Sequence, residues 1–267
     1  MAALHISVSQ VKCYLRCPRQ YELKYVRGVA AAFVPVALAF GSAFHAALSY
    51  FYGLVLATGV VPSLAEVTLV FTDAWRNAGD GDVPLQSDPE DEDEEVTIVA
   101  IEEKGVAMLA AFYSQAAASP VTVESVERVF TCDLYDPDTG ELLEEKLVGA
   151  FDLVVREGDR RVVVEHKTSA RRYSEDQLKC DLQPTAYKLA AHQLGLGDVG
   201  VRFQVVTKTK TPAVQVVDVE RGDCDRDDFM RTAVGVLRAI DAQAFWPNRG
   251  WQCRGCQYAH ACSGSGQ

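Results

Sequence analysis

Gly149-Ala150-Phe151-Asp152-Leu153-Val154-Val155 and Val162-Val163-Val164-Glu165-His166-Lys167-Thr168 are two apolar runs, each interrupted by charge. Between them stands a short charged stretch, Arg156-Glu157-Gly158-Asp159-Arg160-Arg161. The spacing predicts a β-hairpin that brings Asp152 and Glu165 to one end of a sheet with Lys167 beside them. Runs this apolar do not hold charges unless the charges are paired, bound to metal or functional. Two carboxylates and an ammonium so placed can hold a divalent cation and attack a phosphodiester. Glu165 and Lys167 share a strand face at i and i+2, so a surface ion pair is the bland alternative. Their apolar approach and the presence of Asp152 weigh against it.

Outward from this hairpin, the chain divides by period. Helices are expected over Ser7 to Tyr25, Pro35 to Thr58, Ser63 to Asn77 and Thr97 to Ala118, with Ser7 or Ser9 capping the first. From Val121 to Leu134 apolar and polar residues alternate as in a strand, and Asp136-Pro137-Asp138-Thr139-Gly140 reads as a turn. After the hairpin come a helix over Ser174 to Gly195, strands over Val199 to Thr207 and Ala213 to Val219, and a helix over Asp225 to Ala244. Helices, three strands, a helix, two strands and a helix make a mixed α/β chain with an N-terminal helical region. The expected organisation is one domain over 1–267. Residues 1–120 are mainly helical, 121–245 form the α/β core and 246–267 a cysteine-rich tail. Glu127, on the strand before Asp152, reads equally well as a further acid near the site and as a solvated strand residue.

Size and composition are those of a globular protein, with 267 residues and 48% hydrophobic content. No apolar run is read as long enough to cross a membrane, and the first residues lack the features of a signal peptide. A reducing, cytoplasmic location is therefore expected, where eight cysteines serve as metal ligands or buried thiols rather than disulfides. The net charge of −11 argues against a nucleic-acid partner, but Asp88 to Glu95 holds seven acids in eight residues. That stretch reads as a solvated loop. Basic residues gather elsewhere, at Lys12, Arg16, Arg19, Lys24 and Arg27, at Arg171 and Arg172, and at Lys208 and Lys210. Local field, not net charge, decides whether DNA can approach.

Cys253, Cys256 and Cys262 supply three thiols within ten residues, the first two at C-x-x-C spacing. A closed site needs a fourth ligand, for which Cys13, Cys17, Cys132, Cys180, Cys224 and His260 are candidates. Cys17, before Pro18, would tie the two ends of the chain together. Cys13, Cys132, Cys180 and Cys224 are otherwise expected to be reduced, buried thiols. Zinc and an iron–sulfur cluster both suit four thiolates.

Six pieces occur in order: Ser7 to Tyr21 with Cys17-Pro18, Gly41-x-x-x-His45, Gly149-Ala-Phe-Asp152, Glu165-His-Lys167-Thr168, Gln183-x-x-x-Tyr187 and the C-terminal cysteines. Together, nearly end to end, they resemble the PD-(D/E)XK nucleases of the RecB-like branch. The likeness is greatest to its iron–sulfur exonucleases, the CRISPR-associated RecB-like nucleases and AddB-type nuclease domains. No Pro precedes Asp152, a departure common in that branch. The resemblance implies a restriction-endonuclease-like mixed central sheet flanked by helices, with a C-terminal cysteine-cluster lobe. It implies that His45, Asp152, Glu165 and the backbone carbonyl of His166 bind catalytic Mn²⁺ or Mg²⁺. Lys167 would orient or deprotonate water, with its pKa lowered by the cation. Gln183 and Tyr187 would position the DNA backbone or the lysine. Cys17, Cys253, Cys256 and Cys262 would hold a [4Fe–4S] cluster, with Zn²⁺ as the alternative. The implied activity is exonucleolytic hydrolysis of DNA at single-stranded ends, in CRISPR spacer acquisition beside an integrase. A stand-alone phage or bacterial recombination or repair nuclease, a non-catalytic DNA-binding scaffold and a zinc-stapled structural protein are the alternatives. The side chain of His166 is expected to point away from the metal, so His166→Ala should be tolerated.

Overall fold

The computed structural model describes residues 5–81, 83–87 and 98–263. The acidic stretch Asp88 to Glu95 lies outside them. The expected hairpin is present. Strands β5 (Leu142–Glu157) and β6 (Arg160–Ser169) pair antiparallel from Leu153↔Val164 to Glu157↔Arg160, around a turn of Gly158 and Asp159. Gly158 takes φ +60°, the left-handed conformation glycine adopts without strain.

Three other strand groups complete a mixed sheet. β4 (Thr122–Tyr135) runs antiparallel along nearly the whole of β5. β7 (Gly200–Thr207) pairs parallel with β6, and β8 (Val214–Val219) antiparallel with β7. A short β1 (His5–Ser7), which the sequence pattern does not announce, pairs parallel with β5 at Lys146 to Val148. With β4 occupying one edge of β5, β1 and β6 must share the other. Between them Gly149 to Asp152 are left without a strand neighbour on that side. β2 (Val34–Pro35) and β3 (Leu85–Gln86) form a separate two-residue ladder.

Helices cover both faces. On one, α1 (Val8–Arg16), α7 (Gln183–Gln193) and α8 (Asp223–Asp241) enclose a core with Phe130, Phe151, Val163, Tyr187 and Phe229. On the other, α3 (Val36–Thr58), α4 (Leu64–Gly79) and α5 (Ile98–Ala118) pack Phe40, Phe44, Phe51, Phe71, Trp75 and Phe112 against Leu153, Val155, Val162 and Val164. Each fully buried aromatic or leucine contributes roughly 1.5–3 kcal/mol of transfer free energy. Gly149 is required by this packing: a Cβ there would stand 2.5 Å from Cζ of Phe130.

Several expectations are corrected. The first helix does not run unbroken to Tyr25. Ser7 caps α1 through a capping box with Gln10, but Cys17 is extended (ψ 107°) because Pro18 follows, and α2 (Pro18–Tyr21) and a π-helical turn (Glu22–Val26) take over. Ser174 caps α6 (Glu175–Cys180), but that helix stops at Asp181, and α7 begins with Pro184 in its first turn. α3 is long and apolar enough to cross a membrane by length and composition, contrary to the sequence reading. Its apolar residues Phe40, Phe44, Leu48 and Phe51 pack into the core described above. Cys13 and Cys132 are buried as expected, whereas Cys180 and Cys224 are exposed.

Candidate active site

The site lies where β5 parts from β6. Pairing ends at Leu153↔Val164, so the β5-facing N–H and C=O of His166 have no ladder partner. Asp152 takes the N–H through Oδ2 at 2.9 Å, and the His166 backbone lies close enough to His45 to act against the lowering of its pKa by burial. A fork between strands thus gathers Asp152 and His45 around the backbone of one residue, whose polar groups must be satisfied somewhere.

α3 supplies the imidazole. Gly41, His45 and Ser49 recur every four residues and so share one face of the helix. That face lines a cleft of about 600 Å³ together with Glu127, Lys167 and Thr168. Nδ1 of His45 is 3.6 Å from Oδ2 of Asp152. Ser49 donates at 2.7 Å to Oε1 of Glu127. Glu127 stands across from Asp152, between the pairs Val126↔Leu153 and Arg128↔Phe151, and its φ is +46°. Left-handed backbone at a glutamate is uncommon and costs on the order of 1 kcal/mol, strain of the kind that gathers at functional sites.

His45, Glu127 and Asp152 each offer a donor atom, all within 4.8 Å of one another. One imidazole and two carboxylates suit Mg²⁺ or Mn²⁺, and the imidazole favours Mn²⁺. The charges also call for a cation. Burial, then the charge of Glu165, pushes Asp152 up to about 8. Burial lowers His45, which leaves its imidazole neutral and able to ligate.

On the opposite face of β6 the predicted residues form a closed ring. Lys167 donates to Glu165 and, at 3.3 Å, to Oε1 of Gln183. Gln183 donates at 2.7 Å to the hydroxyl of Tyr187, which donates to Glu165. Gln183 and Tyr187 meet because they lie one turn apart at the start of α7. Glu165 is 1% exposed, with both oxygens engaged, and its charge reaches both His45 and Asp152. The structure therefore brings His45, Asp152, Glu165, Lys167, Gln183 and Tyr187 to one locus, but gathers Glu127, not Glu165, with His45 and Asp152. Burial acts to lower the Lys167 pKa, but the charge and hydrogen bond of Glu165 outweigh it, so the protein's own groups raise it. The lowering expected beside a dication belongs to the metal-bound site. Lys167 is thus a positive charge first and a proton acceptor only where a cation counters Glu165.

His166 points away from Glu165 and Lys167, as the alternation requires, and its ring is buried. It is 3% exposed, stacked on Tyr52 at 5.6 Å, with its ring 6.4 Å from that of His45. Burial lowers its pKa to about 3, so it packs as a neutral ring. His166→Ala is expected to cost roughly 2–4 kcal/mol by opening a cavity beneath His45. Thermal unfolding of the two proteins checks this, and equal midpoints would show that the ring is not needed.

At the far end of α1, the four predicted cysteines converge. The backbone N–H of Asn248 lies 3.4 Å from Sγ of Cys17, and its carbonyl 4.0 Å from Sγ of Cys253. Cys256 is raised by burial and by the neighbouring Cys17, Cys262 and Cys253.

A family model for the PD-(D/E)XK nuclease superfamily matches residues 5–263. The chain belongs to the PD-(D/E)XK nuclease superfamily. This membership accounts for the mixed sheet between helices. PD-(D/E)XK nucleases use divalent metals, which His45, Glu127 and Asp152 are suited to hold. Among solved structures, this PD-(D/E)XK chain is similar to a protein of Eubacterium rectale provisionally named an exonuclease. The TM-score is 0.58 at 15% identity, over 99% of this chain and 94% of that one. It is also similar to SSO0001, with TM-score 0.45 and 14% identity over 98% and 87% of the two chains. No curated protein matches the sequence.

Proposed function

We propose that this PD-(D/E)XK protein is a Mn²⁺- or Mg²⁺-dependent DNA exonuclease whose ends are joined by a [4Fe–4S] cluster. The observation that carries the reading is the strand fork: His45, Glu127 and Asp152 as a cation-binding group, with Lys167 in the same cleft. A bound cation would polarise the scissile phosphate and lower the pKa of water. Glu165 has its part in holding Lys167 and in adding negative charge beside His45 and Asp152. Lys167, protonated and aimed into the cleft, neutralises charge that builds on the phosphate oxygens and orients the attacking water. Gln183 and Tyr187 fix Lys167 and Glu165, so the ammonium meets the phosphate already in place. His166 serves through its backbone, around which His45 and Asp152 gather.

Cys17, Cys253, Cys256 and Cys262 would hold the cluster, and their convergence from both ends of the chain supports that reading. A cluster here closes a very long loop and restricts the unfolded chain accordingly. Anaerobic purification should yield a brown protein containing iron. A colourless protein with stoichiometric zinc would replace the cluster with a zinc staple. Thiols kept reduced suit a cytoplasmic protein.

The biological setting comes from the sequence resemblance: trimming of prespacer DNA ends in CRISPR spacer acquisition, beside an integrase. Action at ends is tested with Mn²⁺ and two single-stranded DNAs of one sequence, linear and covalently closed. The linear strand is expected to be degraded and the circle spared. Cleavage of the circle at the same rate would make the enzyme an endonuclease.

A further inference from the structure

A second cleft lies on the α1 side of the site. It measures about 340 Å³ and is lined by Lys12, Arg16 and Lys24 with Gln20, Tyr25 and Gln257 as its other large side chains. Among the described residues, no carboxylate lines it. Lys12 is held at 2.7 Å by Asp181, whereas Arg16 and Lys24 are exposed and have no carboxylate partner among the described residues. Nε of Arg16 donates to Gln20 at 3.2 Å, and Nζ of Lys24 lies 4.8 Å from the centre of the Tyr25 ring. This is unusual company in a chain of net charge −11. The sequence explains it: residues 1–65 hold Lys12, Arg16, Arg19, Lys24 and Arg27 against the single acid Glu22, and residues 242–267 hold Arg249 and Arg254 and no acid. The two segments meet at Cys17 and Asn248, concentrating positive charge on one side of the molecule.

The cleft is also coupled to the candidate active site. Oδ1 of Asp181 accepts from Nζ of Lys12 at 2.7 Å and from the backbone N–H of Gln183 at 2.8 Å. Gln183 in turn accepts from Lys167 at 3.3 Å. Two residues, Asp181 and Gln183, therefore separate Lys12 from the lysine of the site. We propose that Lys12, Arg16 and Lys24 form a second phosphate-binding subsite for the nucleic-acid strand whose scissile phosphate lies at His45, Glu127 and Asp152, with Tyr25 at its rim as a stacking surface for a base. Cations without carboxylate partners bind a phosphate without first breaking an ion pair, and an aromatic ring beside a basic groove is the usual platform for single strands. This rests on the nuclease reading for its geometry but not for its test.

The test compares wild type with the double variant Arg16→Gln/Lys24→Gln. Both positions are exposed, and glutamine keeps part of each alkyl stem. Binding of a fluorescent single-stranded oligonucleotide is read by anisotropy in Ca²⁺ as salt is varied. Loss of two phosphate contacts is expected to weaken binding about tenfold or more. It should also flatten the slope of log K against log salt by about 1.4, at roughly 0.7 per contact for single strands. Unchanged affinity and slope would overturn the subsite. Oligonucleotides with a 5′-phosphate, a 3′-phosphate or neither distinguish the source of the phosphate. A loss in the variant confined to one phosphorylated end marks a terminal-phosphate anchor, and an equal loss for all three marks internal phosphodiesters. Hydrolysis of bis(p-nitrophenyl) phosphate, too small to span both clefts, should be equal in the two proteins. If neither protein hydrolyses any substrate while the binding difference persists, the nuclease reading fails and the phosphate subsite stands.

Discussion

Lys167→Ala is expected to lower metal-dependent DNA cleavage by roughly a thousandfold, about 4 kcal/mol of transition-state stabilisation. The ammonium is the cation of the cleft whose position is fixed from two sides, by Glu165 and by Gln183. The protein's own groups raise its pKa, so it is charged at neutral pH before a cation binds. A charge held in advance costs little reorganisation when negative charge grows on the phosphate. Lys167→Arg should recover little, because the planar guanidinium cannot replace a point charge within the ring of Glu165, Tyr187 and Gln183. Rates on end-labelled DNA, with thermal unfolding as the control for folding, check both variants. Cleavage by Lys167→Ala at the wild-type rate would remove Lys167 from the chemistry.

Asp152→Asn is expected to separate stability from function. Asp152 is mostly buried, and its pKa stands at about 8 because of burial and the nearby Glu165. Its folded value is raised above the unfolded one. It therefore favours the folded protein fully below about pH 4, and that contribution is lost as pH rises through about 8. Between these limits metal-free stability should fall with pH, by at most about 1.4 kcal/mol per unit from this group. Asparagine carries no charge to desolvate and still offers an oxygen to the His166 N–H. Metal-free Asp152→Asn should thus be more stable than wild type at pH 8, by roughly 2–4 kcal/mol, and show a flatter pH profile. Mn²⁺ should raise the wild-type unfolding temperature by mass action and the variant's far less, while cleavage falls at least a hundredfold. Equal metal-free stability at pH 8 would show that the carboxylate bears no such burden.

Asp152, Glu165 and Lys167 stood out in the sequence because charge among valines is costly. The hairpin followed from two apolar runs around a charged turn. Gln183 and Tyr187 were legible only through the family resemblance, since a tyrosine early in a helix otherwise reads as core packing. Glu127 was half legible. Its strand position reads equally as an acid near the site and as a solvated residue, and only the register of β4 on β5 sets it opposite Asp152, where its left-handed backbone belongs to no sequence pattern for glutamate. The burial of His166 was hidden for a related reason. Alternation gave its direction correctly, but not that Tyr52 of α3 and Phe112 of α5 would close over it. The break between α6 and α7 was signalled by Pro184, whose ring is tolerated in a first turn and not in a helix interior. Apolar periodicity continued across the break and masked it. β1 is only three residues long, too short for a period to show.

The central claim is that the fork between β5 and β6 holds a catalytic cation for DNA hydrolysis. Its most direct test is the rate of cleavage of end-labelled single-stranded DNA, measured as Mn²⁺ is titrated into chelator-treated protein. The account predicts no cleavage without the ion, saturable cleavage with it, and no recovery of Asp152→Asn at saturating Mn²⁺. Cleavage that survives chelation, or an Asp152→Asn variant that matches wild type, would contradict it.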